Sequence, residues 1–441
     1  MIKLSYDKGQ VIARGGEIPY SRRLKEDVFS APAFRYRDIV DHLNLAGVPF
    51  EDMVYGGLEF KEVRSSLKLR DYQQKSLGAW ENSGRSGIVV LPTGAGKTVL
   101  ALKAVERLGV STLIVVPTLV LVEQWRSRIE EEFGINVGMV GGGGRHVRAV
   151  TVATYDSASL KSDVMGNLFK FIVFDEVHHL PASSFRSIGL KYTASYRMGL
   201  TATLSSEDGS RAVLRDLVGD VVWEMDVDEL AGSHLAEYTV RTVQVPLSVL
   251  ERGEYDACYT RYRNYLGRRG IRIRSVQDYQ RFVMRSGRDP EARAALLSRN
   301  RAMDIAQNSS SKVEYLKQLL KVNPKDKALI FTRHNKLVYR ISKEMLIPAI
   351  THQTPKDERA RILDGFKSGQ FSRIVTSRVL DEGVDVPDAS LAVILSGSGS
   401  NRQFIQRLGR VLRKSEGKQA KLIELVSKGT AETYTSRRRR R

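Results

Sequence analysis

Short apolar runs recur along this chain, each followed by a turn and a helical segment, and they come in two separate sets. The first runs from about Gly87 to Thr203. There "SGIVVL" leads into "PTGAGKTVLALKAVERL" and "STLIVVP" into "TLVLVEQWRSRIEEEF", while "AVTVATY" and "FKFIVF" each precede a helical stretch and "YRMGLTAT" supplies a further strand. Strands that read as continuous apolar runs are buried on both faces, as in parallel sheets. Strand–helix alternation at this spacing predicts a doubly wound α/β fold. The second set starts near Lys327 with "KALIFTR" and continues through "IPAITHQ", "KDERARILDGFKSG", "FSRIVTS", "LAVILSG", "NRQFIQRLGRVLR" and "AKLIELV". Two α/β domains are therefore expected, and 441 residues suit that count.

Three stretches stand outside this rhythm. Residues 1–60 contain "KLSYDKGQVIARGG", which reads as a small hairpin, and "YRDIVDHLNLAG", which reads as a short amphipathic helix. Gly141 to Gly144 form a four-glycine run, predicted as a hairpin turn with no chemistry of its own. Residues 251–301 hold 13 Arg, no Lys and 6 acids, with Tyr255, Tyr259, Tyr262 and Tyr265 spaced along one helical face. The tyrosines could be the apolar seam of a helical hairpin or, beside arginines, a stacking surface for bases. The resulting boundaries are 1–60, 61–245, 246–305, 306–430 and a basic tail, 431–441, that ends in "SRRRRR".

Charge is distributed unevenly. The net formal charge is +20, with −1 over residues 1–60, 0 over 61–250 and +21 over 251–441. One sign gathered in one half points to a polyanion, because Lys and Arg release condensed counterions when they meet phosphates. The single cysteine, Cys258, excludes an internal disulfide and a cysteine-based zinc cage. No apolar run reaches the length of a membrane span and no secretion signal opens the chain, so a cytoplasmic, nucleoid-associated protein with no membrane contact is expected.

"LPTGAGKT", Leu91 to Thr98, lies between a strand and a helix, where a phosphate-binding loop belongs. Gly94 and Gly96 let the backbone turn its N–H groups toward phosphates, Lys97 adds a point charge, and Thr98 offers a hydroxyl to Mg²⁺. Leu91 stands where the usual pattern has its first glycine. "FIVFDEVHHL" then places Asp175 and Glu176 at the C-terminal end of a strand, where open α/β sheets bind ligands. Asp175 suits Mg²⁺ and Glu176 suits orienting an attacking water. His178 and His179 follow the acids too closely for a helical zinc motif. A nucleotide-hydrolysing site is the better reading of the four residues.

At this point the sequence resembles a family. "LRDYQQ", "PTGAGKT", "VVPTLVLVEQW", "TVATYDS", "DEVHH", "GLTAT", "TSRVLDEGVDVPD" and "QRLGRVLR" occur in the order of superfamily 2 helicase motifs, over most of residues 65–430. "DEVHH", "LTAT" with "EDG", and "VLDEGVDVPDA" are most similar to the XPB family of DNA-repair and transcription helicases, in its archaeal form. The resemblance implies two RecA-like domains with a thumb-like helical insertion at 246–305 and a small damage-recognition-like N-terminal module. It also implies ATP and Mg²⁺, 3′–5′ polarity, and DNA as duplex, fork or bubble. By the same resemblance, Arg70 and Gln73 recognise adenine, and Lys97, Thr98, Asp175 and Glu176 take the roles given above. His178, Thr201 and Thr203 couple nucleotide state to DNA grip, and Gly383 and Asp385 contact the nucleotide. Arg410 and Arg413 act as arginine fingers. Thr118, Thr154 and Thr376 contact the DNA backbone, and Arg268, Arg269, Arg272 and Arg274 of the thumb grip DNA. Trp125, at the end of one such segment, reads as a core tryptophan.

One departure bears on the activity. After "TAT" the family carries Arg-Glu-Asp, associated with strand separation. Here Glu207 and Asp208 are present, but Ser206 stands in the arginine's place. The alternatives are a duplex translocase or restriction-type motor subunit, an RNA helicase, and an inactive nucleotide-switched binding module. A separate nuclease partner is expected, with the chain a monomer or part of a heterodimer.

Overall fold

The structure is a computed structural model and describes residues 1–204, 208–226, 229, 237–377, 389–396 and 419–438. The chain forms two compact units, Met1–Leu230 and Ala231–Arg441.

The first unit holds two sheets. Strands β1 (Ile2–Asp7), β2 (Gln10–Arg14), β3 (Arg22–Lys25), β4 (Val28–Pro32) and β5 (Phe50–Met53) form a five-stranded sheet in the order β3-β4-β2-β1-β5. The expected hairpin is β1–β2, turned by Lys8 and Gly9 at positive φ. The expected helix is α1 (Tyr36–Leu45), which buries Ile39 and Leu43 against the sheet. This module is not a free appendage. The Tyr6 hydroxyl bonds the carbonyls of Ser162 at 2.9 Å and Lys191 at 3.1 Å, and Asn167 donates to the Val54 carbonyl at 2.8 Å.

The main sheet of this unit comprises β6 (Ser86–Val90), β7 (Thr112–Val116), β8 (Gly138–Gly141), β9 (Gly144–His146), β10 (Val150–Thr154), β11 (Phe171–Asp175), β12 (Tyr196–Thr201) and β13 (Val221–Glu224). Their order is β13-β6-β12-β11-β7-β10-β8-β9. All pairings are parallel except β8–β9, the hairpin that the glycine run predicts. β7, β10 and β11 are buried along their whole length, which explains their unbroken apolar sequences. Helices α2 (Asp71–Asn82), α3 (Lys97–Leu108), α4 (Leu119–Phe133), α5 (Tyr155–Leu160), α6 (Ser162–Met165), α7 (Arg186–Lys191) and α8 (Asp208–Leu217) complete the unit.

In the second unit, β14 (Glu237–Val245), β15 (Ala328–Phe331), β16 (Ala349–Ile350), β17 (Arg373–Thr376), β18 (Leu391–Ile394) and β19 (Gln419–Ser427) form an all-parallel sheet, β14-β19-β18-β15-β17-β16. Helices α9 (Val249–Arg268), α10 (Val276–Ser286) and α11 (Pro290–Gln307) make the insertion, followed by α12 (Ser310–Val322), α13 (Asn335–Met345), α14 (Lys356–Ser368) and α15 (Glu432–Arg438).

Two expected boundaries move. β14, placed by the sequence at the end of a domain spanning 61–245, pairs along its length with β19 and belongs to the second sheet. The tail expected from 431 begins as α15, whose Glu432 and Ser436 are buried and bond Lys312 and Glu424.

Candidate nucleotide site and strand-contact surface

β6 ends in the loop that delivers α3. Gly94 (φ 86°) and Gly96 (φ 82°) are left-handed, a conformation that glycine enters without strain. A Cβ on Gly96 would meet Gln73 Nε2 at 2.4 Å, so this turn tolerates nothing larger. Lys97 Nζ donates to the Leu91 carbonyl at 3.1 Å, which folds the ammonium over its own loop. Gln73, buried at the start of α2, donates to the Ala95 carbonyl at 2.9 Å while its Oε1 accepts the Arg70 N–H at 2.9 Å. Tyr72 bonds the same Ala95 carbonyl at 2.7 Å and receives Arg70 Nη1 at 3.3 Å. Arg70 and Gln73 thus sit against the phosphate loop, and the Gln73 amide braces the loop itself.

Asp175 is the last residue of β11 and is 8% exposed. Its Oδ2 accepts the Trp125 indole N–H at 3.0 Å and its Oδ1 the Glu176 N–H at 3.1 Å. Burial, then the neighbouring Glu176 charge, push the carboxyl up to about 6, against the pull of the Trp125 N–H and the Lys97 charge. Glu176 leaves the strand with φ 51°, an unusual conformation for a side-chain-bearing residue and one that clusters at functional sites. The turn brings its Oε2 to 3.3 Å from both Thr201 Oγ1 and His178 Nδ1. His178 Nδ1 is also 3.0 Å from Thr201 Oγ1, and that hydroxyl reaches the Thr203 carbonyl at 2.8 Å. Glu176, His178, Thr201 and Thr203 thus form one hydrogen-bonded network. Among the described residues no group of three or more His, Cys, Asp or Glu side chains could hold a metal. The His178 and His179 rings pack 4.5 Å apart.

Thr118 and Thr154 are helix caps. Thr118 accepts the Leu121 N–H at 3.3 Å to start α4, and Thr154 accepts the Ser157 N–H at 3.2 Å to start α5. Thr376 differs: it is fully buried at the end of β17 and its hydroxyl donates to the Ser377 carbonyl at 3.0 Å, so a hydroxyl contact with a DNA backbone is not what it offers here. Asp208 opens α8. Ser206, Glu207, Gly383, Asp385, Arg410 and Arg413 lie outside the described residues.

In the insertion the tyrosines resolve as a seam. Tyr255, Tyr262 and Tyr265 are buried, Tyr259 stacks on Tyr255 at 5.4 Å, and Tyr262 and Tyr265 pack around Phe282. Packed this way, the buried rings are unavailable for bases. Arg268, Arg269, Arg272 and Arg274 are all exposed, with Arg269 paired to Glu291 at 3.3 Å.

The sequence reading passed over Trp125 as core packing. It is buried, at 3% exposure, yet it also holds the carboxylate of Asp175. A tryptophan in a core helix gives no hint of where its N–H will end.

Comparison with known proteins decides the family. Residues 66–206 match the family described as type III restriction enzyme, res subunit, and residues 311–415 match the helicase conserved C-terminal domain. The chain is 43% identical over its full length, and over all of the other protein, to the DNA 3′-5′ translocase XPB2 of Sulfurisphaera tokodaii. It belongs to the XPB family. The putative DNA 3′-5′ helicase Rad25 of Haloarcula marismortui is 33% identical over 86% of this chain and 56% of its own length. The XPB/SSL2 helicase/translocase subunit of general transcription and DNA repair factor IIH from Saccharomyces cerevisiae is 28% identical over 86% of this chain and 44% of its own. The chain thus spans about half the length of those two relatives. The helicase domain of Pyrococcus furiosus Hef superposes with a TM-score of 0.56 at 19% identity, covering 85% of this XPB chain and 98% of that one, a likeness of fold.

Proposed function

We propose that this XPB protein is a DNA-dependent ATPase that hydrolyses ATP to move 3′–5′ along DNA and remodel it, in DNA repair or transcription. The observation that carries the reading is a glycine-turned loop after β6 whose Lys97 charge acts on the buried Asp175 at the end of β11, in the same sheet, with the half-buried Glu176 beside it. The residues suit Mg²⁺–ATP. Asp175 is a buried carboxylate with two N–H donors and no ion pair among the described residues, its pKa raised by burial and then by the neighbouring Glu176 charge, so a cation stabilises its ionised form.

Bound Mg²⁺–ATP supplies the electrophilic phosphorus and the driving force. The chain supplies the rest. Lys97 exchanges its Leu91 carbonyl for phosphate oxygens, and the loop N–H groups ahead of α3 face the same charge. Thr98 and Asp175 hold the metal, and Glu176, aimed by Thr201 and His178, orients the water. Gly383, Asp385, Arg410 and Arg413 keep the nucleotide and transition-state roles that the resemblance implies. Arg268, Arg269, Arg272 and Arg274 meet the phosphate backbone, with no base readout.

The deciding experiment is ATP hydrolysis with no polymer, single-stranded, duplex and forked DNA, and RNA, beside strand displacement on the fork. Stimulation by DNA with displacement supports the helicase. Stimulation by duplex without displacement supports a translocase, the second reading, which Ser206 in place of arginine favours. No stimulation by any polymer overturns both. A pull-down that recovers no nuclease counts against the proposed partner. Among the described residues no helix is long and apolar enough to cross a membrane.

A further inference from the structure

The two threonine caps, to which the motor reading assigns strand contact, share a second property. Each is followed, on the same helix, by a buried aromatic residue whose polar atom ends on the acid pair. Trp125 lies two helical turns after Thr118 on α4, and its indole N–H donates to Asp175 Oδ2 at 3.0 Å. Tyr155 directly follows Thr154 at the start of α5, and its hydroxyl sits 3.1 Å from the Asp175 carbonyl and 3.4 Å from the Glu176 carbonyl. Both rings are at most 3% exposed.

Packing alone asks only for the ring volume. A buried N–H or O–H costs stability unless an acceptor meets it, so a polar ring edge in this core makes sense when the acceptor is its purpose. The acceptors here are one carboxylate oxygen of Asp175 and the two backbone carbonyls that bracket the left-handed turn at Glu176. One aromatic fixes the plane of the Asp175 carboxylate. The other holds the turn that aims Glu176.

We propose that Trp125 and Tyr155 are positioning residues that tie strand contact at the starts of α4 and α5 to the orientation of Asp175 and Glu176. The proposal rests on the motor reading above. A strand held at Thr118 fixes α4 as a rigid body and, through Trp125, the metal-facing carboxylate; Thr154 does the same for the turn through Tyr155. Coupling of this kind is reciprocal: whatever factor DNA adds to nucleotide affinity, nucleotide adds to DNA affinity.

The test uses the full chain and equilibrium binding. The affinity for Mg²⁺ with a non-hydrolysable ATP analogue is measured by calorimetry with and without a single-stranded oligonucleotide. The proteins are wild type, Trp125→Phe, Tyr155→Phe and the double variant. Each substitution is expected to cut the DNA-induced gain in nucleotide affinity by about threefold to tenfold, the scale of one typical hydrogen bond. The nucleotide-induced gain in DNA affinity should fall by the same factor, while DNA affinity without nucleotide stays at the wild-type value. Because Trp125→Phe leaves space in the core, a second measurement uses the wild-type protein. With ¹⁵N-labelled indoles, the Trp125 signal, one of three, should move on adding DNA alone and again on adding Mg²⁺ and the analogue. Coupling that survives both substitutions, or a Trp125 signal indifferent to both ligands, overturns the proposal alone. A wild-type protein with no coupling at all overturns the motor reading, and the proposal falls with it.

Discussion

Both units bury a carboxylate beside a sheet, and they treat it in opposite ways. In the second unit, Glu432 is 1% exposed and sits 2.6 Å from Nζ of Lys312, which is itself fully buried. Lys312 also donates to the Leu395 carbonyl at 2.8 Å, and Glu432 accepts the Ser427 N–H at 2.9 Å. That charge is closed internally and ties α12, β18, β19 and α15 together. In the first unit, Asp175 receives only N–H donors among the described residues, and the next residue adds a second negative charge. Burying an ion costs several kcal/mol unless a counter-ion offsets it. One acid is therefore architecture, whereas the other carries a burial cost that the proposed Mg²⁺–nucleotide would offset.

The sharpest way to break this contrast is at the first acid pair. Glu176→Gln should lower ATP hydrolysis by about 10²–10⁴-fold while nucleotide binding persists, checked by single-turnover rates beside calorimetry. Next in size, Lys312→Met should destabilise the fold by about 3–5 kcal/mol in thermal melting, because it strands a buried charge. Pairing it with Glu432→Leu should recover much of that loss. Asp175→Asn should do the reverse, raising the stability of the ligand-free protein by about 1–3 kcal/mol at neutral pH while abolishing Mg²⁺-dependent nucleotide affinity. A lower melting temperature for Asp175→Asn would mean that this carboxylate is structural after all.

The pH dependence has a definite sign. Asp175 titrates near 6 when folded, above its unfolded value. Its protonated form therefore contributes stability at low pH, and that contribution is lost as pH rises from about 4 through about 6. Mg²⁺–nucleotide binding should accordingly weaken as pH falls below 6 and release protons near that pH, read by calorimetry in buffers of different ionisation enthalpy. The smallest effects belong to the thumb. Arg268→Ala, Arg272→Ala and Arg274→Ala should each lower DNA affinity a few-fold for all sequences and reduce the salt slope by about one, with melting unchanged.

The buried parallel strands, and the placing of the acid pair at the end of one of them, were legible in the sequence because burial on both faces leaves an unbroken apolar run, and phosphate chemistry demands particular residues at a strand end. The sheet to which β14 belongs was not legible. "EYTVRTVQV" is an edge strand paired on one side only, and nothing local says which sheet it joins. α15 was hidden by the arginines beside it, although Glu432 and Ser436, one turn apart, are its buried face. Thr376 shows the limit of a motif match: its hydroxyl turns inward to Ser377.

The pairing of β14 with β19 has a consequence for how the protein is made. Glu237 lies opposite Gln419 and Val245 opposite Ser427, so the first strand of the second sheet joins the last. The first unit contains all partners of its own sheets and can fold while the ribosome is still working on the remainder. β14 then waits for β19, on the order of ten to forty seconds at ordinary rates of synthesis. During that interval its edge is a template for other chains, and an exposed charge such as Arg241 along it is the kind that discourages such pairing.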